Sequence, residues 1–217
     1  MNKSIYSLVL SDSVVEAVDN MARNAGLSRS AMVNQLLAER VEYTTPEMRM
    51  KEILAAMQKC MNDGFYLTEP PTGSTLSAKT SLKYRYKPTV RYSVELYSRA
   101  GRKAGELRVS FRTQNEQLID DLTSFFHCWM RLEQRFIASR LSQDLICTIT
   151  NGRFTRTLNM PQGDITDDEL GEAVADYMTM FDAAMKAYFA HLPDTQIAAM
   201  AAEDSYRASL PKQRVII

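Results

Sequence analysis

A chain of 217 residues, 45 % apolar and 24 % charged, fits one large domain or a small module joined to a medium one, with the profile of an ordinary globular protein. No apolar run approaches the roughly 18 residues that span a bilayer, so no membrane contact is expected. The 26 basic and 26 acidic side chains cancel overall but not locally: residues 1–45 carry four against five, residues 46–113 thirteen against six, and residues 114–217 nine against fifteen.

Taken in chain order, residues 4–10 alternate, with Tyr6, Leu8 and Leu10 on one face, and predict a β-strand. Ser11-Asp12-Ser13 offers a helix cap, with Ser13 and Glu16 at capping-box spacing, and a helix runs to Gly26. Ser28-Arg29-Ser30 opens a second helix, whose apolar stripe runs through Met32, Val33, Leu36, Leu37 and Val41. One strand and two helices cannot build a stable core alone, and the unpaired strand is most simply paired by a second copy of itself. A connecting helix is expected over 46–64, within which Asp63-Gly64 ends the helical pattern. Strands follow at 75–86, 90–99 and 105–113, with turns at Lys87-Pro88 and Gly101-Arg102-Lys103, then a long helix over 115–142. Asn151-Gly152 signals a hairpin between 145–150 and 153–159. Thr166 to Glu169 is a capping box for a helix to about 191, Pro193 opens a last helix, and 211–217 is expected as a flexible tail.

The span Leu10 to Met32, with the turn Gly26-Leu27-Ser28-Arg29-Ser30-Ala31-Met32, resembles the ribbon-helix-helix (Arc/MetJ/CopG-type) family, its CopG subgroup above all, over residues 3–42. The resemblance implies a prokaryotic-type, homodimeric DNA-binding regulator. Two copies of the strand would pair into an antiparallel ribbon in the major groove of double-stranded DNA. Ile5, Ser7 and Val9 would then face the bases, Lys3 would stand at the ribbon's end, and Ser28, Arg29 and Ser30 would meet a phosphate. The groove-facing side departs from the family's usual Arg, Lys, Thr, Gln or Asn, since Ile5 and Val9 offer only apolar contacts. A ribbon used for dimerisation alone is the alternative, as in an antitoxin-like or mobile-element accessory protein.

The expected class is α+β: a ribbon-helix-helix module over 1–45, then an α+β domain over 65–210 with an antiparallel sheet packed on long helices. That domain is read as an effector, partner or oligomerisation domain, for a protein or a small molecule. Alternation places Leu82, Tyr84, Tyr86, Val90, Tyr92, Val94, Leu96, Leu107, Val109 and Phe111 on one sheet face, covered by the 115–142 helix. Lys83, Arg85, Lys87, Arg91, Arg99, Arg108 and Arg112 fall on the other, with Tyr97 a candidate member. That basic face is either a surface for nucleic acid or another anionic partner, or a solvated face, including one salt-bridged to the acidic C-terminal helices.

No phosphate loop, nucleophile elbow or His-Glu-x-x-His motif is present, so no enzyme is expected. Cys60, Cys128 and Cys147 are odd in number and far apart, and read as free thiols of a reducing compartment. His127 and His191 lack metal-ligand spacing, so neither metal nor cofactor is expected. Met1 to Ile5 begins no signal peptide, which makes a cytoplasmic location the expectation.

Overall fold

The computed structural model, which describes residues 5–61, 64–68, 73–84, 87–97, 101–141, 143–150 and 152–217, divides into two units, 1–45 and 46–217. In the first, residues 5–11 carry no regular structure. The strand expected there does not form within one chain, because a strand needs a neighbour for its ladder bonds. Helix α1 spans Asp12–Asn24 and α2 spans Arg29–Arg40. The expected Ser13–Glu16 capping box is not used. The cap is Ser11, whose side chain makes no capping bond, and Asp12 places its charge in the first turn, where the helix dipole favours it.

The second unit is α+β: four α-helices and a six-stranded antiparallel sheet among the described residues. Its elements are α3 (Pro46–Cys60), β1 (Tyr66–Leu67), β2 (Thr75–Ser81), β3 (Thr89–Leu96), β4 (Lys103–Phe111), α4 (Glu116–Phe136), β5 (Cys147–Thr150), β6 (Arg153–Asn159), α5 (Asp167–Ala190) and α6 (Thr195–Ser209). The sheet order is β1-β2-β3-β4-β6-β5. Alternation sends Leu76, Ala78, Val90, Tyr92, Val94, Leu107, Val109 and Phe154 into the core, and leaves the opposite face open.

The cover over that core differs from expectation. The long helix α4 ends at Phe136, and α5 shares the covering role. Phe181 of α5 is the hub, with ring centroids 4.8 Å from Trp129, 5.4 Å from Phe125 and 5.3 Å from Phe154. Beside it, buried Asp182 accepts hydrogen bonds from Thr80 (2.7 Å) and Tyr92 (2.9 Å), which fixes α5 to β2 and β3. The helix over 46–64 is not a mere connector. Five residues of α3 are buried, and a Cβ on Gly171 of α5 would lie 2.5 Å from the Ile53 carbonyl, so this close crossing requires glycine.

The strongest constraint is ionic. Arg156 of β6 is fully buried, its Nε donating to Glu133 of α4 at 2.9 Å and its guanidinium lying 4.4 Å from the Tyr177 ring centroid of α5. Its Nη2 donates to the main-chain oxygen of Ile217 at 2.6 Å. The tail expected as flexible is therefore docked, with Ile217 buried and Val215 and Ile216 packed on the core.

Removing one member of a buried ion pair leaves the other uncompensated, at a cost of about 3–5 kcal/mol. Arg156→Ala and Glu133→Ala should each lower the urea midpoint of the second unit by that equivalent. The paired replacement Arg156→Met with Glu133→Leu should recover most of the loss. Single variants as stable as the parent chain would remove the pair from this role.

Candidate nucleic-acid interface

The turn between α1 and α2 is built by local chemistry. Gly26 adopts φ +65°, and Leu27 N–H donates to Ala22 O at 2.8 Å while Gly26 N–H donates to Arg23 O at 3.2 Å. These are the two bonds of a Schellman motif, and they direct the chain into Ser28. Ser28 caps α2 by accepting from Ala31 N–H at 3.3 Å. Ser28, Arg29 and Ser30 are thereby exposed at a helix N-terminus, whose unpaired N–H groups favour an anion.

Arg29 is not a free cation there. Its Nε and Nη2 contact the two carboxylate oxygens of Asp19 at 2.6 and 2.5 Å, a bidentate fork that ties α2 to α1. The hydrogen bonds from Arg29 hold the Asp19 carboxyl below its usual range. Sequence reasoning missed this pair because ten residues separate its members.

The lead segment is open. Ile5 and Val9 are fully exposed, Ser7 is exposed, and Tyr6, Leu8 and Leu10 are exposed to lesser degrees. Lys3 lies outside the described residues. Behind this segment the core cluster of the unit consists of Val18, Ala22 and Met32, with Val33 and Leu36 packed against it. Val14, Met21, Leu27, Leu37, Val41 and Tyr43 remain exposed. A core cluster of three side chains, with Ala38 buried apart from it, does not offset the conformational entropy of ordering two helices.

The expected basic sheet face is only partly as read. Lys83 and Lys87 lie in the β2–β3 turn, because β2 ends at Ser81 and Lys87 turns the chain at φ +42°. Arg85 and Arg99 lie outside the described residues, and Arg112 stands one residue past β4. Arg108 does point to the open face, but it is neutralised within the sheet and not by the C-terminal helices. Its Nε reaches Glu106 at 2.5 Å and its Nη2 reaches Glu95 at 3.1 Å. Tyr97 continues β3, its N–H donating to Ala104 O at 2.9 Å, and burial with the Glu106 and Glu95 carboxylates pushes its hydroxyl up.

Arg91 stays on the open face, directly opposite Lys79 of β2 and Ser110 of β4. Lys79 precedes the stretch 82–112 whose alternation divides the two faces, and the β2–β3 register places it opposite Arg91. Among the described residues no group of three or more His, Cys, Asp or Glu is placed to hold a metal ion, and no helix is long and apolar enough to cross a membrane.

The first unit is thus a two-helix module with an exposed lead segment, joined to an α+β unit. Residues 7–44 match the family model of ribbon-helix-helix proteins of the CopG family, a DNA-binding family whose members dimerise. The rest of the chain matches no family model. No curated protein and no solved structure shows significant similarity to the chain.

A double-mutant cycle tests the Asp19–Arg29 fork. Asp19→Ala and Arg29→Ala should each lower the unfolding temperature of the first unit, and the double variant should lower it no further than either. Strictly additive losses would show that the two side chains act independently.

Proposed function

We propose that the chain is a homodimeric, sequence-specific transcriptional regulator, a repressor, that reads double-stranded DNA through its first unit. The observation that carries this reading is the mismatch between three buried core residues and a long exposed apolar set, on the segment that matches a dimerising DNA-binding family. Pairing residues 4–10 of two copies would satisfy both backbones and cover Tyr6, Leu8 and Leu10. The same pairing would turn Ile5, Ser7 and Val9 outward. Ile5 and Val9 suit thymine methyl groups, Ser7 suits a base edge, and Lys3 stands beside the backbone. Ser28 and Ser30, with the free N–H groups of the α2 N-terminus, receive a phosphate, and Arg29 joins them where its fork to Asp19 opens. The second unit senses a ligand or engages a partner, and the regulator acts in the cytoplasm.

One observation favours a second reading, a protein-interaction component that keeps the ribbon only for pairing. The first unit carries four basic against five acidic residues, and Arg29 is already engaged by Asp19. Stoichiometric co-purification of another protein, with no duplex retained, would select it.

Selection from a genomic duplex library at low salt should retain a defined sequence, with affinity falling steeply as salt rises. Val9→Asp should weaken that complex by roughly tenfold or more while leaving the dimer intact. Leu8→Asp should abolish both. A dimer also makes the melting of the first unit concentration-dependent, so its transition should rise with protein concentration while that of the second unit stays fixed. A library from which nothing is retained sinks the DNA reading, and a concentration-independent transition sinks the dimer.

A further inference from the structure

The open face of the sheet is electrostatically lopsided. At one end Arg108 is shared by Glu95 and Glu106, and the charges are satisfied. Toward the other end, Lys79 and Arg91 are direct cross-strand partners, and neither makes an ion pair among the described residues. Like charges placed directly opposite each other on a sheet are destabilising. A folded sheet that keeps such a pair uncompensated is poised for an anion to relieve it.

The neighbours of that pair define the anion's shape. Tyr66 of β1 is the cross-strand partner of Lys79, and it is 68 % exposed. Ser110 of β4 is the partner of Arg91 on the far side. Arg153 of β6 shares the face of Thr155, the partner of Arg108, by the two-residue alternation of a strand, and it too is exposed and unpaired in charge among the described residues. Strands lie about 4.8 Å apart, so Arg91 and Arg153 flank β4 at roughly 10 Å, with the small Ser110 between them. Ser77, Ser93 and Thr148 add hydroxyls to the same face, aligned through Arg108 and Thr155.

We propose that this end of the open sheet face, Tyr66–Lys79–Arg91–Ser110 with Arg153, binds single-stranded nucleic acid. The cations track a phosphodiester backbone across the strands, the hydroxyls donate to phosphate oxygens, and Tyr66 offers its ring to one base. A flat, open sheet with an exposed aromatic beside a cation row suits unpaired bases, whose faces are free to stack, better than a duplex, whose bases are stacked on each other. This second site is independent of the ribbon, and neither stands or falls with the other.

The test uses the full chain and a fluorescently labelled oligothymidine of about 20 nucleotides, long enough to cross the sheet. Binding is measured by anisotropy over a range of salt, beside a mixed-sequence duplex competitor. The parent chain should bind the oligothymidine. The double variant Lys79→Glu with Arg91→Glu should weaken binding at least about tenfold and flatten the salt dependence by about 1.4 log units per log unit, the expectation for two lost phosphate contacts on a single strand. Tyr66→Ala should weaken binding several-fold without changing the salt slope, and Lys79→Arg should retain it. No binding by the parent chain overturns the proposal. So does undiminished binding by the double-reversal variant, which would place the strand elsewhere. Displacement by duplex at equal nucleotide concentration also overturns it, since the face would then be a duplex contact.

Discussion

A guanidinium taken fully out of water has to be answered by charge and hydrogen bonds, and Arg156 of β6 is answered from three other parts of the chain at once. Glu133 supplies the charge from α4, Tyr177 supplies a ring face from α5, and Ile217 supplies a main-chain oxygen from the tail, all against β6. None of these partners can move without leaving a buried charge uncompensated. The same logic recurs where Asp182 holds Thr80 and Tyr92. Together the two networks fix α4 and α5 on one face of the sheet. That face is thereby committed to the core, and the opposite face of the sheet is left open.

The first unit is under the opposite constraint. Among its described residues it has no buried charge and almost no core, and its two helices are held by a Schellman turn, a serine cap and the Asp19–Arg29 fork. In the proposed dimer, apolar side chains that are exposed in one chain would become core once the second copy covers them, and folding would be linked to association. The second unit needs no such help, because its core runs from the sheet through Phe181 to Trp129 and α6.

What could be read from the sequence is what local chemistry determines. The Thr166–Glu169 capping box forms as written, Gly26 takes the left-handed position after α1, and alternation over 90–96 and 105–111 correctly divides buried from open residues. Apart from the unused Ser13–Glu16 capping box and the end of β2, the failures depend on partners distant in sequence. Alternation through Leu82 and Tyr84 continued a strand that the chain leaves at Ser81. Arg156 falls in the second strand of the Asn151-Gly152 hairpin, and nothing near it in the sequence announces Glu133, 23 residues away. The docking of 211–217 depends on that same buried arginine, and the burial of α3 depends on a glycine 118 residues after Ile53, at the α5 crossing. On the candidate surfaces, the sequence pattern identified cations but not their neutralisation. Arg108 and Arg29 look equivalent to Arg91 in the sequence and are chemically different from it in the fold.

That difference bears on how a chain with no net charge would hold nucleic acid on the proposed reading. Phosphate neutralisation supplies affinity without sequence information, whereas apolar contacts to thymine methyl groups supply sequence information with little affinity. The first unit, at one net negative charge, is poor in the former and offers the latter through Ile5 and Val9. The basic residues of segment 46–113 belong to the second unit, where Lys79, Arg91 and Arg153 stand without carboxylate partners among the described residues. On the proposed reading the two units would take different nucleic acids: the ribbon would select a duplex through apolar contacts, and the sheet, folded by its own core, would present fixed cations to a single strand with no ordering on binding.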